Sequence, residues 1–301
     1  MAILVGSGFL GVLSVSGVDV PHIQNWPAPE TLQAWDGPPS ADVPAEPPKE
    51  AQGPILHVPR VFVARLPGRL ADETDVEARK TLFIRTVLPL ILEVNARVEK
   101  DRQRLLSLKA RDDAGHPPSS SDERWLADLM TEYGVPDLDW TALLRRVDTV
   151  PPALALAQAA SESAWGTSRF AQDGNALFGQ WAWTDDAGII PTARGDEESH
   201  VVRSFRTPLE SVRAYLHNLN THPFYKRFRL LRAELRGETQ EAPGSALAET
   251  LDRYAERGFA YVEDLRTIMR VNNLDIYNKA VLDSGIGRLA LGETTRTVGE
   301  N

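Results

Sequence analysis

Glu162 stands in a setting that could make its carboxyl a proton donor. It lies near the end of the stretch "PPALALAQAASESAWG", whose apolar, Ala-rich composition and leading prolines predict a helix that ends just before Gly166. A carboxylate in the last turn faces the negative end of the helix dipole, so the pKa of Glu162 is expected to be raised. Trp165, three residues later, is expected to cover the carboxyl and to raise its pKa further.

Such a carboxyl is what a general acid for glycosidic bond cleavage needs at neutral pH. Its neighbours in the sequence are small, which would let another backbone or a bulky substrate approach closely. The competing interpretation is that Glu162 is a solvated residue on a polar helix face, as most charged side chains are. Spacing and composition alone leave both interpretations open.

The composition of the chain excludes several kinds of chemistry. It has 301 residues, 42% of them hydrophobic, which suffices for one large or two modest domains with a packed core. There is no cysteine, so disulfides, zinc–thiolate sites and cysteine nucleophiles are excluded. The six histidines do not occur at the H-E-x-x-H spacing, and no metal or other cofactor is expected. The formal net charge of -9 argues against a nucleic-acid partner.

The elements that would position Glu162 are mostly helical. Apolar residues recur at helical spacing from Leu82 to Leu106, and Pro89 is expected either to kink this run or to split it into two helices. Aromatic and β-branched residues interrupted by turn residues follow Gly174, which predicts a small β-hairpin lobe before helices resume at "PLESVRAYL". The predicted fold is mainly α (α+β), a lysozyme-like helical domain with a small β-hairpin lobe.

The N-terminal region differs in composition from the rest. Residues 2–18 carry no charge, which is typical of an export signal or membrane anchor, although no Lys or Arg precedes them and no A-x-A site follows. The formal G-x-G-x-x-G at Gly6, Gly8 and Gly11 is rejected as a dinucleotide site, because the helix that should follow is interrupted. "HVPRVFVARLP" is expected to form a short strand or an ordered lead-in. The predicted organisation is a signal or anchor segment at 1–20, a Pro-rich tether at 21–71, an N-terminal helical subdomain at 72–140, a catalytic domain at 141–286 and a flexible tail at 287–301.

The stretch "LALAQAASESAWGTSRFAQDGNALFGQW" resembles the glucosaminidase family of bacterial cell-wall hydrolases, in particular its Bax subgroup. The family motif A-Q-A-x-x-E-S-x-W-G places the catalytic Glu at Glu162, and the motif N-x-x-F-G-x, which leads into the β-lobe, starts at Asn175. "FRTPLESVRAYLHNLNTHPFY" resembles the family segment that ends in a cleft tyrosine, here Tyr225. "YAERGFAYVEDLRTIM" resembles the closing helix region. The resemblance extends over roughly residues 78 to 285.

The resemblance implies an endo-β-N-acetylglucosaminidase that cleaves the β-1,4 bond after N-acetylglucosamine in peptidoglycan, with Glu162 as the acid. It also implies a second carboxylate from the β-lobe, on the hairpin shortly before the strand that leads to "FR". That position points to Asp196 or Glu197, and the sequence does not determine which. It also does not determine whether the enzyme inverts through a water or uses the acetamido group of the substrate. The acids of the predicted lobe are Asp185, Asp186, Asp196, Glu197 and Glu198.

The predicted substrate-binding residues carry an aromatic ring or an amide. Rings of this kind stack on sugar faces, and Gln180 is expected to hydrogen-bond an acetamido group. The residues are Trp165, Asn175, Phe178, Gln180, Trp181 and Tyr261. Tyr225, also suited to stacking, is grouped as the cleft tyrosine with the catalytic residues Glu162, Asp196 and Glu197.

Two other functions fit part of the pattern. A lytic transglycosylase also ends its helix in E-S, but continues with a G-x-M-Q pattern that is absent here. A non-catalytic peptidoglycan-binding module would be favoured if the β-lobe acids pointed away from Glu162. The expected binding partner is the glycan strand of peptidoglycan. The protein is expected to be a monomer and to lie in the periplasm or cell envelope. Membrane association, where it occurs, is expected through residues 2–18.

Overall fold

Helices form most of the folded chain. The structure is a computed structural model that describes residues 33–35, 55–182, 188–189, 201–239, 242–284 and 288–290. The expected mainly α class, with small β elements after the central helix, is confirmed. The helices are α1 (Arg69–Asp72), α2 (Val76–Asp113), α3 (Ser120–Tyr133), α4 (Trp140–Arg146), α5 (Pro152–Ser163), α6 (Arg169–Gly174), α7 (Pro208–Thr221), α8 (Lys226–Thr239), α9 (Gly244–Ala248) and α10 (Phe259–Val271), with 3-10 helices at Pro223–Tyr225 and Leu274–Lys279.

Local sequence signals explain where several helices begin and end. Ser119 caps α3 by accepting a hydrogen bond from the backbone N–H of Asp122 at 3.3 Å, and Gly134 ends that helix with a φ of 64°. Pro89 lies inside α2, which continues through it as one helix, so the run does not split. The lost backbone hydrogen bond is offset by burial, because Val87, Leu88, Leu90 and Ile91 around the proline are all buried.

The described strands are short and form three small sheets. Strands β1 (Gln33–Trp35) and β3 (Val61–Val63) pair in parallel with β8 (Arg288–Ala290). Strand β2 (His57–Val58) pairs in parallel with β7 (Val281–Leu282). Strands β4 (Trp181–Ala182) and β5 (Gly188–Ile189) flank β6 (Val201–Arg203) in antiparallel register, with Trp181 opposite Val202 and Gly188 opposite Arg203. This third sheet is the predicted β-lobe.

The chain divides into two compact units, each built from separate stretches of sequence. The first contains the described parts of Ile91–Ala157 and Arg213–Asn278. One of its apolar clusters joins residues of α2, α3 and α4: Val98, Leu105, Leu108, Leu126, Leu129, Tyr133, Val135, Leu143 and Val147. The second contains the described parts of Pro27–Leu90, Gln158–Val212 and Lys279–Asn301. Its buried apolar residues include Phe62, Leu66, Leu70, Phe83, Val87, Ala171, Leu177, Phe178, Val201 and Val202.

Part of the predicted tether belongs to the second unit. Residues 55–71 contribute strands β2 and β3 and buried apolar side chains, so they are folded rather than an extended linker. Strand β8 likewise lies within the segment predicted as a flexible tail. The short strand expected in "HVPRVFVARLP" occurs as β2 and β3, and the sequence could not give their bounds because each has only two or three residues and pairs with the far end of the chain.

The predicted signal or anchor at 1–20, including residues 2–18, lies outside the described residues. Among the helices that the structure describes, none combines the length and the apolar character needed to cross a bilayer.

Candidate active site

Glu162 lies at the exposed end of an otherwise buried helix. The residues of α5 from Ala153 to Ala160 are all at most 1% exposed, whereas Glu162 is half-buried. Alanine and leucine favour the helix, and their small or compact side chains allow it to be buried on all sides. The helix ends at Ser163, so Glu162 occupies the last turn, as the sequence predicted.

The chain leaves α5 through an unusual left-handed turn. Ala164, Trp165 and Gly166 have φ values of 51°, 56° and 79°. Only glycine adopts this region freely, and a bulky residue such as tryptophan is a clear outlier there. The turn is closed by two backbone hydrogen bonds, from Trp165 N–H to the Ala160 carbonyl at 2.9 Å and from Ser168 N–H to the Ser163 carbonyl at 3.0 Å.

The side chain of Ser163 adds a second set of bonds to the same turn. Its hydroxyl donates to the carbonyl of Ala159 at 2.5 Å and accepts from the backbone N–H of Gly166 at 2.9 Å. Ser163 is fully buried, so these bonds are shielded from water. The family motif contains this serine, but its spacing alone did not indicate a role in shaping the turn.

Trp165 packs against the start of α2. Its ring meets Phe83 edge to face, with centroids 5.5 Å apart and planes at 71°. The ammonium of Lys80 lies 5.7 Å from the centre of the Trp165 ring. These contacts of the ring are with α2, and the cover of Glu162 by Trp165 stays a prediction. Phe83 lies some eighty positions earlier in the chain, and no local pattern could have linked the two residues.

The side chain of Asn175 links two segments of the chain by hydrogen bonds. It ends α6 with a φ of 52°, and its side-chain amide donates to the carbonyls of Phe205 at 3.0 Å and Arg206 at 3.2 Å. The residue is 5% exposed, and its buried Oδ1 has no hydrogen-bond partner among the residues that the structure describes. Asn175 thus joins the start of the β-lobe to its exit, which leaves it enclosed rather than open to a sugar.

Phe178, Gln180 and Trp181, the other predicted binding residues near the β-lobe, differ in how far they are exposed or described. Phe178 is 1% exposed and belongs to the core, so it does not present a stacking face here. Gln180 is half-buried, and its backbone carbonyl accepts from Arg203 N–H at 2.7 Å. Its buried side-chain oxygen finds no hydrogen-bond partner in the described part of the chain. Trp181 opens β4, but its side chain is not among the described atoms. An aromatic residue type alone does not reveal which side of a chain faces solvent.

The predicted acids Asp196 and Glu197 lie outside the described residues. In the sequence they fall between β5 and β6, the two strands that pair in the third sheet. Asp185, Asp186 and Glu198 also lie outside the described part of the chain. The identity of a second carboxylate therefore stays a prediction.

Tyr225 and Tyr261 belong to the first unit, where they form a buried cluster with Tyr254. They are 0% and 1% exposed. Tyr261 stacks parallel on Tyr254 at 5.6 Å and 3°, and Tyr225 lies 6.0 Å from Tyr254 at 38°. Both predicted rings are thus packed against protein in this conformation, and not exposed for stacking on a sugar. Tyr254, the centre of the cluster, was not singled out from the sequence.

No cluster of three or more His, Asp or Glu side chains suited to holding a metal ion occurs among the described residues. At the end of α5 the structure places the half-buried carboxyl of Glu162, a group that can donate or accept a proton.

Comparison with known proteins agrees with the sequence motifs. Residues 140–274 match the family model described as glucosaminidase, mannosyl-glycoprotein endo-beta-N-acetylglucosaminidase. Protein bax of Escherichia coli (strain K12) is 35% identical over 189 residues, which span 61% of this chain and 66% of that protein, slightly less than two thirds of its length. The solved catalytic domain of the autolysin Auto from Listeria monocytogenes is 20% identical, with 56% of this chain and 96% of that one covered, at a TM-score of 0.31.

The family match includes every residue predicted for the site, from Glu162 to Tyr261. The match to the E. coli protein supports the narrower assignment that the motifs suggested. Residues 140–274 form a domain of the glucosaminidase family, and the similarity to the E. coli protein supports its Bax subgroup.

Proposed function

We propose that this protein is a peptidoglycan hydrolase, an endo-β-N-acetylglucosaminidase that cleaves the β-1,4 bond between N-acetylglucosamine and N-acetylmuramic acid. The observation that carries the proposal is the setting of Glu162, within the residues that match the glucosaminidase family. It is a half-buried carboxyl in the last turn of a buried helix, followed by a left-handed turn that fixes the chain beyond it. Rigid placement of this kind favours a directed proton transfer.

Glu162 acts in this proposal as the general acid. It protonates the glycosidic oxygen while the bond from that oxygen to the anomeric carbon breaks, and the charge that develops on the sugar is oxocarbenium-like. The carbonyls at the end of α5 carry partial negative charge, which favours the neutral carboxylic acid over the carboxylate. A neutral carboxyl is the form that has a proton to give.

A second group completes the reaction, and Asp196 and Glu197 are the proposed candidates. In an inverting enzyme this carboxylate activates a water on the opposite face of the sugar, about 6.5–9.5 Å from the acid. In a substrate-assisted reaction the acetamido oxygen of N-acetylglucosamine attacks instead, and the carboxylate orients that group. Both routes end in hydrolysis and in a reducing N-acetylglucosamine.

The proposed substrate implies where in the cell the protein acts. A protein that acts on the glycan strands of peptidoglycan works in the periplasm or cell envelope, and we propose that it does so as a monomer. Residues 2–18 are proposed as the point of membrane association. None of the chemistry requires a metal or an organic cofactor.

The test is the chemical nature of the fragments that the protein releases from purified peptidoglycan. Mass analysis is expected to find soluble fragments that end in reducing N-acetylglucosamine. Fragments ending in 1,6-anhydro-N-acetylmuramic acid would make the protein a lytic transglycosylase. Binding to the sacculus without release of fragments would make it a non-catalytic peptidoglycan-binding module.

A further inference from the structure

The turn after Glu162 is supported by residues that lie far outside the family match. Gly166 sits against Leu70 and Phe83, since a Cβ at this glycine would lie 3.1 Å from a methyl carbon of Leu70 and 3.1 Å from a ring carbon of Phe83. Leu70 and Phe83 are both 0% exposed. They belong to α1 and α2, before residue 140, where the family match begins. The segment before the matched domain thus forms the support for this turn.

The backbone that Leu70 and Phe83 support is strained. Ala164 and Trp165 are non-glycine residues in the left-handed region, a conformation that strains the backbone at each of them. A strained conformation persists only where its surroundings determine it. Phe83 alone makes two of the contacts that hold this turn. Its ring meets Trp165 edge to face, and it packs closely on Gly166.

We propose that Phe83 is a positioning residue for Glu162. Its ring holds Trp165 and Gly166 in the left-handed turn, and the turn fixes the direction in which the last turn of α5 presents the carboxyl. The inference rests on the proposed role of Glu162 as general acid. It assigns to the segment before the family-matched domain a part in catalysis, and not only in folding.

The test compares two Phe→Leu variants in the full chain. Phe83→Leu removes the ring beneath the turn, whereas Phe62→Leu removes a ring that is 3% exposed in β3 of the same unit and is not among the atoms nearest to Gly166. Misplacement of a catalytic group by about 1 Å can cost about 10²-fold in rate, so kcat per folded molecule is expected to fall about tenfold to a hundredfold in Phe83→Leu. KM on soluble glycan fragments of peptidoglycan is expected to stay within about twofold, because binding groups are intact. Phe62→Leu is expected to keep the wild-type kcat.

Hydrogen exchange at the backbone N–H groups of Trp165 and Gly166 provides a second measurement that needs no activity. Both groups are hydrogen-bonded in the turn, so faster exchange is expected in Phe83→Leu and not in Phe62→Leu. Phe83→Met, whose flexible unbranched side chain fills irregular gaps more readily, serves if Phe83→Leu does not fold. Unchanged exchange at the turn in a folded Phe83 variant overturns the proposal, as does a kcat equal to that of Phe62→Leu. An inactive wild-type protein would refute the proposed function, while exchange would still decide whether Phe83 holds the turn.

Discussion

Asp148 and Arg232 form an ion pair in which both side chains are buried. The Nε of Arg232 lies 3.3 Å from Oδ2 of Asp148, and each side chain is 1% exposed. The Nε–H makes no hydrogen bond within the described part of the chain, so this contact is purely ionic. The other guanidinium nitrogens donate to the carbonyls of Arg145 and Thr149 at 3.0 and 2.9 Å and to Oδ1 of Asn220 at 2.8 Å. This network fixes the loop that leads into α5.

Removal of the Asp148 carboxylate should be strongly destabilising. Asp148 is also contacted by Arg236 at 2.7 Å and by Arg102 at 3.7 Å, so Asp148→Asn removes an anion that three cations share. The expected loss is about 3–5 kcal/mol in the free energy of unfolding, as for other buried pairs broken on one side. Denaturant unfolding measures it. The matched control is Asp264→Asn, whose partner Arg257 is 54% exposed and whose loss should cost about 0–1 kcal/mol. Similar values for the two variants would contradict a structural role for the buried pair.

The carboxyl of Glu132 should make stability depend on pH. Burial, followed by the nearby charge of Asp101, raises its pKa above the ordinary value, against the opposing effect of Arg213 and Arg97. The folded chain therefore binds more protons than the unfolded chain between the ordinary pKa of 4.5 and the raised one, and stability falls as pH rises through that window.

Glu132→Gln removes this dependence. The variant is expected to melt at a higher temperature than the wild type at neutral pH, and at the same temperature at about pH 3.5, where the carboxyl is protonated in both states. Thermal unfolding at the two pH values gives the comparison. A variant that is less stable than the wild type by the same amount at both would show that the charge of Glu132 is not the cause.

Residues 55–71, which precede α2, bury several apolar side chains. Val58, Phe62, Leu66 and Leu70 are at most 8% exposed, and burial of such side chains is worth about 1.5–3 kcal/mol each. A chain that starts at Ile55 is therefore expected to keep the stability of the full chain, whereas one that starts at Asp72 should be clearly less stable in urea. Equal stability of the two shortened chains would restore the sequence-based boundary at residue 72.

Local signals in the sequence predicted much of the fold. Helix starts such as Pro208 and stops such as Gly166 depend on neighbours within a few residues, and these were found where expected. Strands β2 and β3 could not be delimited, because they pair with residues more than two hundred positions away. Long-range pairing of this kind leaves little trace in a short segment of sequence.

The site was predictable to the extent that its motifs are local. Glu162 and its place in the last turn of α5 follow from the helix and its end. The burial of Phe178, Tyr225 and Tyr261 could not be predicted from the sequence. The type of a side chain shows that it can stack on a sugar, but not whether it is exposed. The support of the turn by Phe83 is a tertiary contact, which no spacing rule contains.

Asp196 and Glu197 should respond differently to neutralisation. They are adjacent, and side chains of adjacent residues in a hairpin point to opposite faces. One of Asp196→Asn and Glu197→Gln is expected to be strongly impaired on purified peptidoglycan, with the other near the wild type. Initial rates of fragment release provide the comparison. Mild and equal effects would instead favour a reaction assisted by the acetamido group alone.

The most direct test of the account is the activity of Glu162→Gln on purified peptidoglycan. The amide keeps the shape of the side chain but has no proton to transfer, and Glu123→Gln, an exposed residue of α3, is the matched control. General acid catalysis is worth about 10²–10⁴-fold, so release of reducing N-acetylglucosamine ends should fall by at least about 10²-fold in Glu162→Gln, while binding to the sacculus and the control variant are unaffected. Wild-type rates in Glu162→Gln would contradict the assignment of Glu162 as the general acid.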